Sequence, residues 1–522
     1  MLSRIIMTTY FNNTQVFTLA IAGLFFLISL FFHVNNKSKL SVLFLFLSGI
    51  SIFSFGALLD PFLNLWDERF HALVAKNLMH HPLMPTLYDN PIVNMDYDRW
   101  DRSIIWLHKQ PLFLWQIALS FKLFGISEFT LRLPSIILSS ALLLASYRVG
   151  KLLVNRRVGY LSGVLIISSM YFIELISGRQ ELEHNDISFL VYVSLSIWSF
   201  IEYYFSKKKY WLYLIGIFSG FAILCKWVVG LLIYFGWSIL KIQQKKFKIS
   251  ENWDFILALF ITIIVSLPWQ ILTFIKFPEE ASNAMAFNSL HFFEVIEGHG
   301  GTIWYHFDKF NVIYGTIASF FIIPGFYFMK KNSKNIPLYF SVLSMVIIVY
   351  LFFSLADTKM PSFTISVFML IMIALASVID ATITYLTAFL SYKIITKLAA
   401  AIIIIAIIAI RIDIESLQEK HTLWKDSNKY SRMMISNKSI FKSLNLPKNT
   451  VLFNVKGRHY VEAMFYTNST AYNFIPSEQQ YNDLKLKGAR IAIFKSASGS
   501  IPQYIIKDTT VIIIDKKLDG YN

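Results

Sequence analysis

The side chains able to do chemistry in this chain are few, and most sit at the edges of apolar runs. Asp67 and Glu68 open a predicted helix, with Asn64 as its expected cap and Pro82 and Pro85 beyond its end. His71 follows Asp67 by four residues and so shares its helical face. A carboxylate in this place suits a general base that takes the proton of an acceptor hydroxyl or amine. Acids in a first helical turn also complement the helix dipole without any further role. His108 and Lys109, in HKQP at 108–111, precede another apolar segment, and Arg179, Lys226 and Lys359 each adjoin one too. A lysine at such a boundary serves often enough as a snorkelling anchor. Several cations meeting at headgroup level would instead hold a lipid-linked phosphate. Lys226 carries the sharpest signal, because a charge between two short apolar helices costs about 2.5–3.5 kcal/mol at a bilayer centre and less near the interface. Asp186 closes SGRQELEHND and starts the next apolar run, either as a helix-start acid or as a site residue. In EVIEGHGG at 294–301, three glycines let the backbone turn tightly around His299, as a plain turn or as a flexible lid.

The elements that must carry these residues are membrane helices. With 55% hydrophobic residues, 15% charged residues and a mean hydropathy of +0.53 over 522 residues, the chain has more apolar surface than one soluble core can bury. The net charge of +16 does not mark a nucleic-acid binder, because the lysines and arginines cluster in short gaps between apolar runs. Lys37 and Lys39, Arg156 and Arg157, Lys207 to Lys209, Lys245 to Lys248 and Lys330 to Lys334 read as positive-inside connections. Apolar runs fall near 15–33, 40–59, 129–148, 158–176, 187–205, 254–275, 311–329, 336–353, 361–379 and 394–411. The run 211–240 is too long for one crossing and reads as two short helices meeting near Cys225, Lys226 and Trp227. That makes about twelve crossings, or thirteen if the short segment 112–124 crosses; it is placed at the interface or as a partial re-entry. The first run lacks a small-residue cleavage site and reads as a retained helix.

On this topology the polar stretches 60–111, 177–186, 276–310 and 356–361 share the outer side, and titratable groups gather there. The 60–111 stretch is too long for an ordinary connection and is expected to fold against the membrane surface. Residues 1–410 form the membrane domain. From 411 to 522 the composition changes to β-type runs at 451–455, 471–475, 490–494 and 510–515, with helix-compatible stretches at 458–466 and 476–487. The expectation is a polytopic α-helical membrane protein with a small C-terminal α/β domain on the outer side. That domain lacks a glycine-rich phosphate loop, which leaves it a docking or acceptor-selecting role. The single cysteine, Cys225, rules out an intramolecular disulfide. His80 and His81 are adjacent, face different ways on a helix and make poor paired ligands.

Taken in order, WDERFHALVAKNL at 66–78, HKQPLFLW at 108–115, FGISEFTLRLPS at 124–135, Asp186 at a helix start, CKWVVGLL at 225–232, LPW at 267–269 and DTKMPSF at 357–363 resemble the GT-C class of membrane glycosyltransferases. Within it they are similar to the family of protein O-mannosyltransferases and lipid A aminoarabinose transferases. The resemblance implies transfer of a sugar from a polyprenyl-phosphate donor to a lipid, glycan or protein acceptor outside a bacterial cytoplasmic membrane. It implies Asp67 as the acid that activates or positions the acceptor, Glu68 as its support and Asp186 as the second loop acid. It matches Lys109 and Lys359 to the family's lysines before proline. Two departures, at His108 and after Arg69, bear on sugar and acceptor identity. The chemistry fits independently: a phosphate leaving group needs cations more than a general acid, which makes Lys109, Arg179, Lys226 and Lys359 its candidate contacts, and His108 and His299 further substrate-binding candidates. Direct displacement at the anomeric carbon, with inversion, is the expected reaction. No cofactor is expected; a divalent metal stays open, since Asp96-Tyr97-Asp98 resembles the metal-holding acidic pair of soluble sugar-nucleotide transferases only as a three-residue pattern. A transporter or lipid flippase is the alternative, and would place polar groups on interrupted helices near the midplane.

Overall fold

The structure is a computed structural model that describes residues 11–89, 91–93, 98–180, 183–246, 248–418, 427–495 and 500–520. Among the described residues, nine helices are long and apolar enough to cross a membrane: Asn13–Val34, Ser38–Ala57, Glu128–Leu153, His184–Ser206, Lys209–Gln243, Trp253–Lys276, Ile336–Leu355, Pro361–Thr387 and Lys393–Arg411. The bent pair Arg156–Ile167 and Met170–Ile176 would make ten. The count is lower than about twelve because three of the expected crossings are not straight rods.

The first of these bends by 56° at Ser168 and Ser169. Ser168 Oγ donates to Val164 O at 2.9 Å, which competes with the helical ladder, and Ser169 Oγ accepts from Phe172 N at 3.4 Å, which caps the start of the next helix. The second, Lys209–Gln243, turns back on itself. A helix over Lys209–Lys226 gives way to a 3-10 turn over Trp227–Leu231 and a returning helix over Leu232–Gln243. Trp227 takes φ 56°, and Ser219 Oγ donates to Gly230 O at 2.7 Å across the reversal. The outgoing helix runs parallel to Trp253–Lys276, with Gly216 against Ala258 and Gly220 against Val265. The returning helix brings Lys241 back to within 2.8 Å of Asp254 at the start of that same neighbour. The geometry is the pair of short crossings read from the sequence. In the third case, 311–329, the chain is broken into Phe310–Tyr314, Thr316–Ser319 and Ile322–Lys331, with Gly315 at φ 93° between the first two. The Leu112–Phe124 helix has 13 residues, about 20 Å, against a hydrocarbon core of about 30 Å. It stops at Gly125, whose φ of 83° suits a residue without Cβ.

The C-terminal unit has four parallel strands, β1 (Thr450–Phe453), β2 (Thr470–Ala471), β3 (Arg490–Phe494) and β4 (Ile512–Ile514), in the order β2-β1-β3-β4. Helices Tyr460–Tyr466 and Glu478–Leu486 make two of the crossovers. The expected run at 471–475 shrinks to a two-residue strand. The core of this unit is continuous with that of the 60–111 segment. Phe70, Leu73, Leu78 and Trp106 from the 60–111 segment pack in one continuous apolar cluster with Leu452, Phe465 and Ile493. Lys76 Nζ donates to the carbonyls of Met464, Phe465 and Thr467 at 2.9, 2.9 and 3.0 Å, where a cation meets the carbonyl end of the Tyr460–Tyr466 helix. The polar segment is thus ordered by being roofed.

Candidate active site

The Asp67–Leu78 helix starts abruptly after Trp66, which adopts φ 68°. Asn64 does not cap it, contrary to expectation. Its side-chain amide donates to Asp60 Oδ2 and to Ser177 O, each at 3.0 Å, while its backbone N–H donates to Glu68 Oε2 at 2.6 Å. Arg132 organises this corner. It donates to both oxygens of Glu68 at 2.8 and 2.9 Å, and to the carbonyls of Ala57, Asp60 and Phe62 at 2.8, 2.6 and 2.9 Å. His184 Nε2 lies 3.2 Å from Glu68 Oε1. Gly178, at φ 76°, passes so close that a Cβ would sit 2.4 Å from the Glu68 carboxylate. Burial alone would push the Glu68 carboxyl up, but Arg132 and His184 outweigh it and hold it at about 2. Glu68 is fully buried and enclosed, which leaves it no open side towards a substrate.

Anchoring Glu68 inward turns Asp67 the other way, towards Lys109. Lys109 Nζ stands 3.6 Å from Asp67 Oδ2, and both side chains keep about an eighth of their surface exposed, 13% and 12%. The HKQP turn that presents Lys109 is pinned from the next helix, where Gln270 Nε2 donates to Gln110 Oε1 at 2.7 Å. Across from this pair, Lys226 Nζ donates to Asp186 Oδ1 at 2.6 Å and rides 4.9 Å above the Phe363 ring. The charge of Lys109 is felt at Asp186, His71, His108 and His291, and that of Lys226 at His291. Two acids and two lysines from separate parts of the chain therefore share one neighbourhood. Trp227, Trp269 and Phe274 wall an apolar cleft beside Lys109.

The remaining expected residues divide. His71 is buried against the edges of Phe113 and Trp106, and burial together with Lys109 keeps it well below the ordinary imidazole range. His108 stacks on Trp100 at 4.7 Å and is held neutral by the same two causes, burial first. Arg179 does not join the lysines: it makes a two-pronged bond to Asp60 at 2.9 and 3.0 Å and reaches Leu417 O at 2.8 Å. Lys359 does not either. Its ammonium turns back onto the carbonyls of Ser354, at 2.9 Å, and Ala356, at the C-terminal end of the Ile336–Leu355 helix. His299 contributes its backbone, accepting from Lys359 N at 2.7 Å.

The 294–301 loop is stitched down rather than hinged. Ile296 N donates to Thr358 Oγ1 at 2.9 Å, Thr358 Oγ1 donates to Glu294 O at 2.6 Å, and Trp100 Nε1 donates to Glu297 Oε1 at 2.8 Å. The 276–310 stretch read as a loop is largely the Pro278–Phe293 helix. Of the Asp96-Tyr97-Asp98 pattern, the first two residues lie outside the described residues, and Asp98 accepts from Asn283 Nδ2 at 2.9 Å. His80 and His81 are exposed, and His81 Nε2 lies 3.7 Å from Asp89 Oδ1. Among the described residues no group of three or more His, Cys, Asp or Glu is gathered as a metal site. Arg132 was the residue most in need of notice. An arginine inside LRLP, in an apolar helix, is the same costly signal that marked Lys226.

A family described as dolichyl-phosphate-mannose-protein mannosyltransferase matches residues 108–271, which hold Lys109, Arg132, Asp186 and Lys226 but not Asp67. Among solved structures, ArnT from Cupriavidus metallidurans bound to undecaprenyl phosphate superposes with a TM-score of 0.63 at 13% identity, covering 85% of this chain and 88% of ArnT. The fold is that of the GT-C membrane glycosyltransferases. The archaeal oligosaccharyltransferase AglB from Archaeoglobus fulgidus, in complex with an inhibitory peptide and a dolichol-phosphate, shares the GT-C fold with a TM-score of 0.52 at 11% identity, over 82% of this chain and 64% of AglB. An uncharacterised protein of Aquifex aeolicus (strain VF5) is 27% identical over 164 residues, 31% of this chain and 30% of that relative's length.

Proposed function

We propose that this multi-span membrane protein is a glycosyltransferase that moves a sugar from a polyprenyl-phosphate donor to a lipid, glycan or protein acceptor. The observation that carries the reading is the meeting of Asp67 and Lys109 with Asp186 and Lys226 at one end of the helix bundle. In this reading the acceptor oxygen or nitrogen attacks the anomeric carbon and its proton passes to Asp67. The bond from that carbon to the phosphate oxygen breaks, and polyprenyl phosphate departs with its charge held by Lys109 and Lys226. Asp186 keeps the Lys226 ammonium aimed. The complex of ArnT with undecaprenyl phosphate supports a carrier of this kind. We divide the chain into a membrane domain over 1–410 and an acceptor-selecting unit over 411–522. Both the site and that unit are assigned to the periplasmic face of a bacterial inner membrane, because the lysine-rich connections lie at the other end.

The test is release of polyprenyl phosphate from polyprenyl-phosphate sugars by membranes containing the full chain. Lys109→Met is expected to lower that release by about 10²–10³-fold, the usual loss on removing one donor to a developing anion. Its loss of thermal stability should be smaller than that of a variant in the fully enclosed Glu68–Arg132 pair, since both side chains of the Asp67 pair keep some contact with water. A chelator is expected to leave turnover unchanged, because the two lysines supply the positive charge; lost turnover restored by a divalent cation would put a metal in the reaction. Turnover equal to wild type in Lys109→Met, or none with any donor, would move the assignment towards transport.

A further inference from the structure

At the end of the bundle remote from Asp67, a cavity of about 350 Å³ opens between the close of Asn13–Val34, the start of Arg156–Ile167 and the first turns of Lys393–Arg411. Its charges do not balance. Arg157 is paired with Asp380, which also accepts from Asn155 Nδ2 at 2.8 Å. Arg156 donates to His33 O and Asn36 Oδ1, both at 2.8 Å, and Lys397 Nζ donates to Asn35 Oδ1 at 2.8 Å. Among the described residues no carboxylate lies within ion-pair distance of either Arg156 or Lys397. The cations are held in place by neutral acceptors, and His33 is itself locked by stacking on Tyr160 at 3.8 Å. The remaining wall is apolar, with Val34, Ala400 and Ile404. Ala400 and Ile404 belong to the Lys393–Arg411 helix, whose apolar window is only 6% buried, so that wall continues onto surface turned outward to the bilayer.

We propose that this cavity binds the phosphate of an anionic glycerophospholipid between Arg156 and Lys397, with an acyl chain lying along the Lys393–Arg411 helix. Two fixed cations without acid partners, beside an apolar wall open to the bilayer, match a charged head joined to an apolar tail. A free phosphate would use the cations and leave the apolar wall without purpose. Basic pockets between membrane helices hold anionic headgroups by this division of labour. The site is separate from the proposed transfer chemistry and does not depend on it.

The experiment is retention of phosphatidylglycerol by the full-length protein in detergent, measured by mass spectrometry after washing with phosphatidylcholine micelles. Arg156→Gln/Lys397→Gln is expected to bind it roughly thirty-fold more weakly, from two basic contacts at a membrane surface. Lys208→Gln/Lys209→Gln, which removes exposed charge at the same end of the bundle, should retain it as wild type does. Millimolar inorganic phosphate should not release it. Equal retention by the Arg156/Lys397 variant, an equal loss in the Lys208/Lys209 control, or release by inorganic phosphate would each overturn the proposal. If the glutamine pair unfolds, Arg156→Lys/Lys397→Arg decides, since it keeps both charges and must retain the lipid.

Discussion

Asp67→Asn is expected to cut release of polyprenyl phosphate by about 10²–10⁴-fold, the contribution of a positioned general base. The substitution preserves shape and hydrogen bonding but removes the ability to take a proton. It should leave folding intact, because the Asp67 side chain is partly exposed and its ion-pair partner is Lys109 at 3.6 Å. The buried framework of this corner runs through Glu68, Arg132 and Asn64. A protein that melts like wild type yet fails to turn over would place the base at Asp67. Unimpaired turnover would move the base elsewhere, with Asp186 the next acid in the same neighbourhood and Asp186→Asn the next variant.

Arg132→Met should have the largest effect on stability. It leaves the Glu68 charge buried without its main partner, a loss of about 3–5 kcal/mol for a broken buried pair. It also strips donors from the carbonyls of Ala57, Asp60 and Phe62. Adding Glu68→Gln to Arg132→Met removes the stranded charge, so the double variant should melt above the single one. The same pair predicts a pH dependence. Glu68 is held at about 2 in the folded protein against an ordinary value of 4.5, so the unfolded chain binds the proton more readily between those values. Its stabilisation is complete above about pH 5 and drains away as the pH falls through that window towards 2. Melting temperatures from pH 6 down to about pH 3 should therefore fall more steeply for wild type than for Glu68→Gln/Arg132→Met. Parallel slopes would show that other acids dominate.

How much of this was legible beforehand depended on whether a signal was local. Helix starts and apolar lengths are local, so the Asp67 helix, the reversal at Cys225 to Trp227 and the β-type runs at 451–455 and 490–494 could be read from residue order. Partner choice is not local. Lys109 and Lys359 both precede a proline or nearly so at the edge of an apolar helix, and nothing in their flanks separates them. In the fold one faces Asp67, and the other curls back three to five residues onto spent helix carbonyls. Arg179 and Arg132 show the same limit from the other side. Each is neutralised by a residue over sixty positions away, Asp60 and Glu68, so neither pairing has a trace in sequence spacing. The fate of the Asp60 to Pro111 stretch was the least accessible, because what orders it lies in the last part of the chain.

That dependence sets a timetable for synthesis. Lys76 meets its acceptors across separations of 388 to 391 residues. At about 5–20 residues per second, its helix waits roughly 20–80 s after leaving the ribosome before Met464 exists to receive it. Through that interval Phe70, Leu73 and Leu78 lack the part of their cluster that the C-terminal unit supplies. The nascent chain must cross this delay with an adhesive face uncovered, and any truncation ahead of β1 makes the delay permanent.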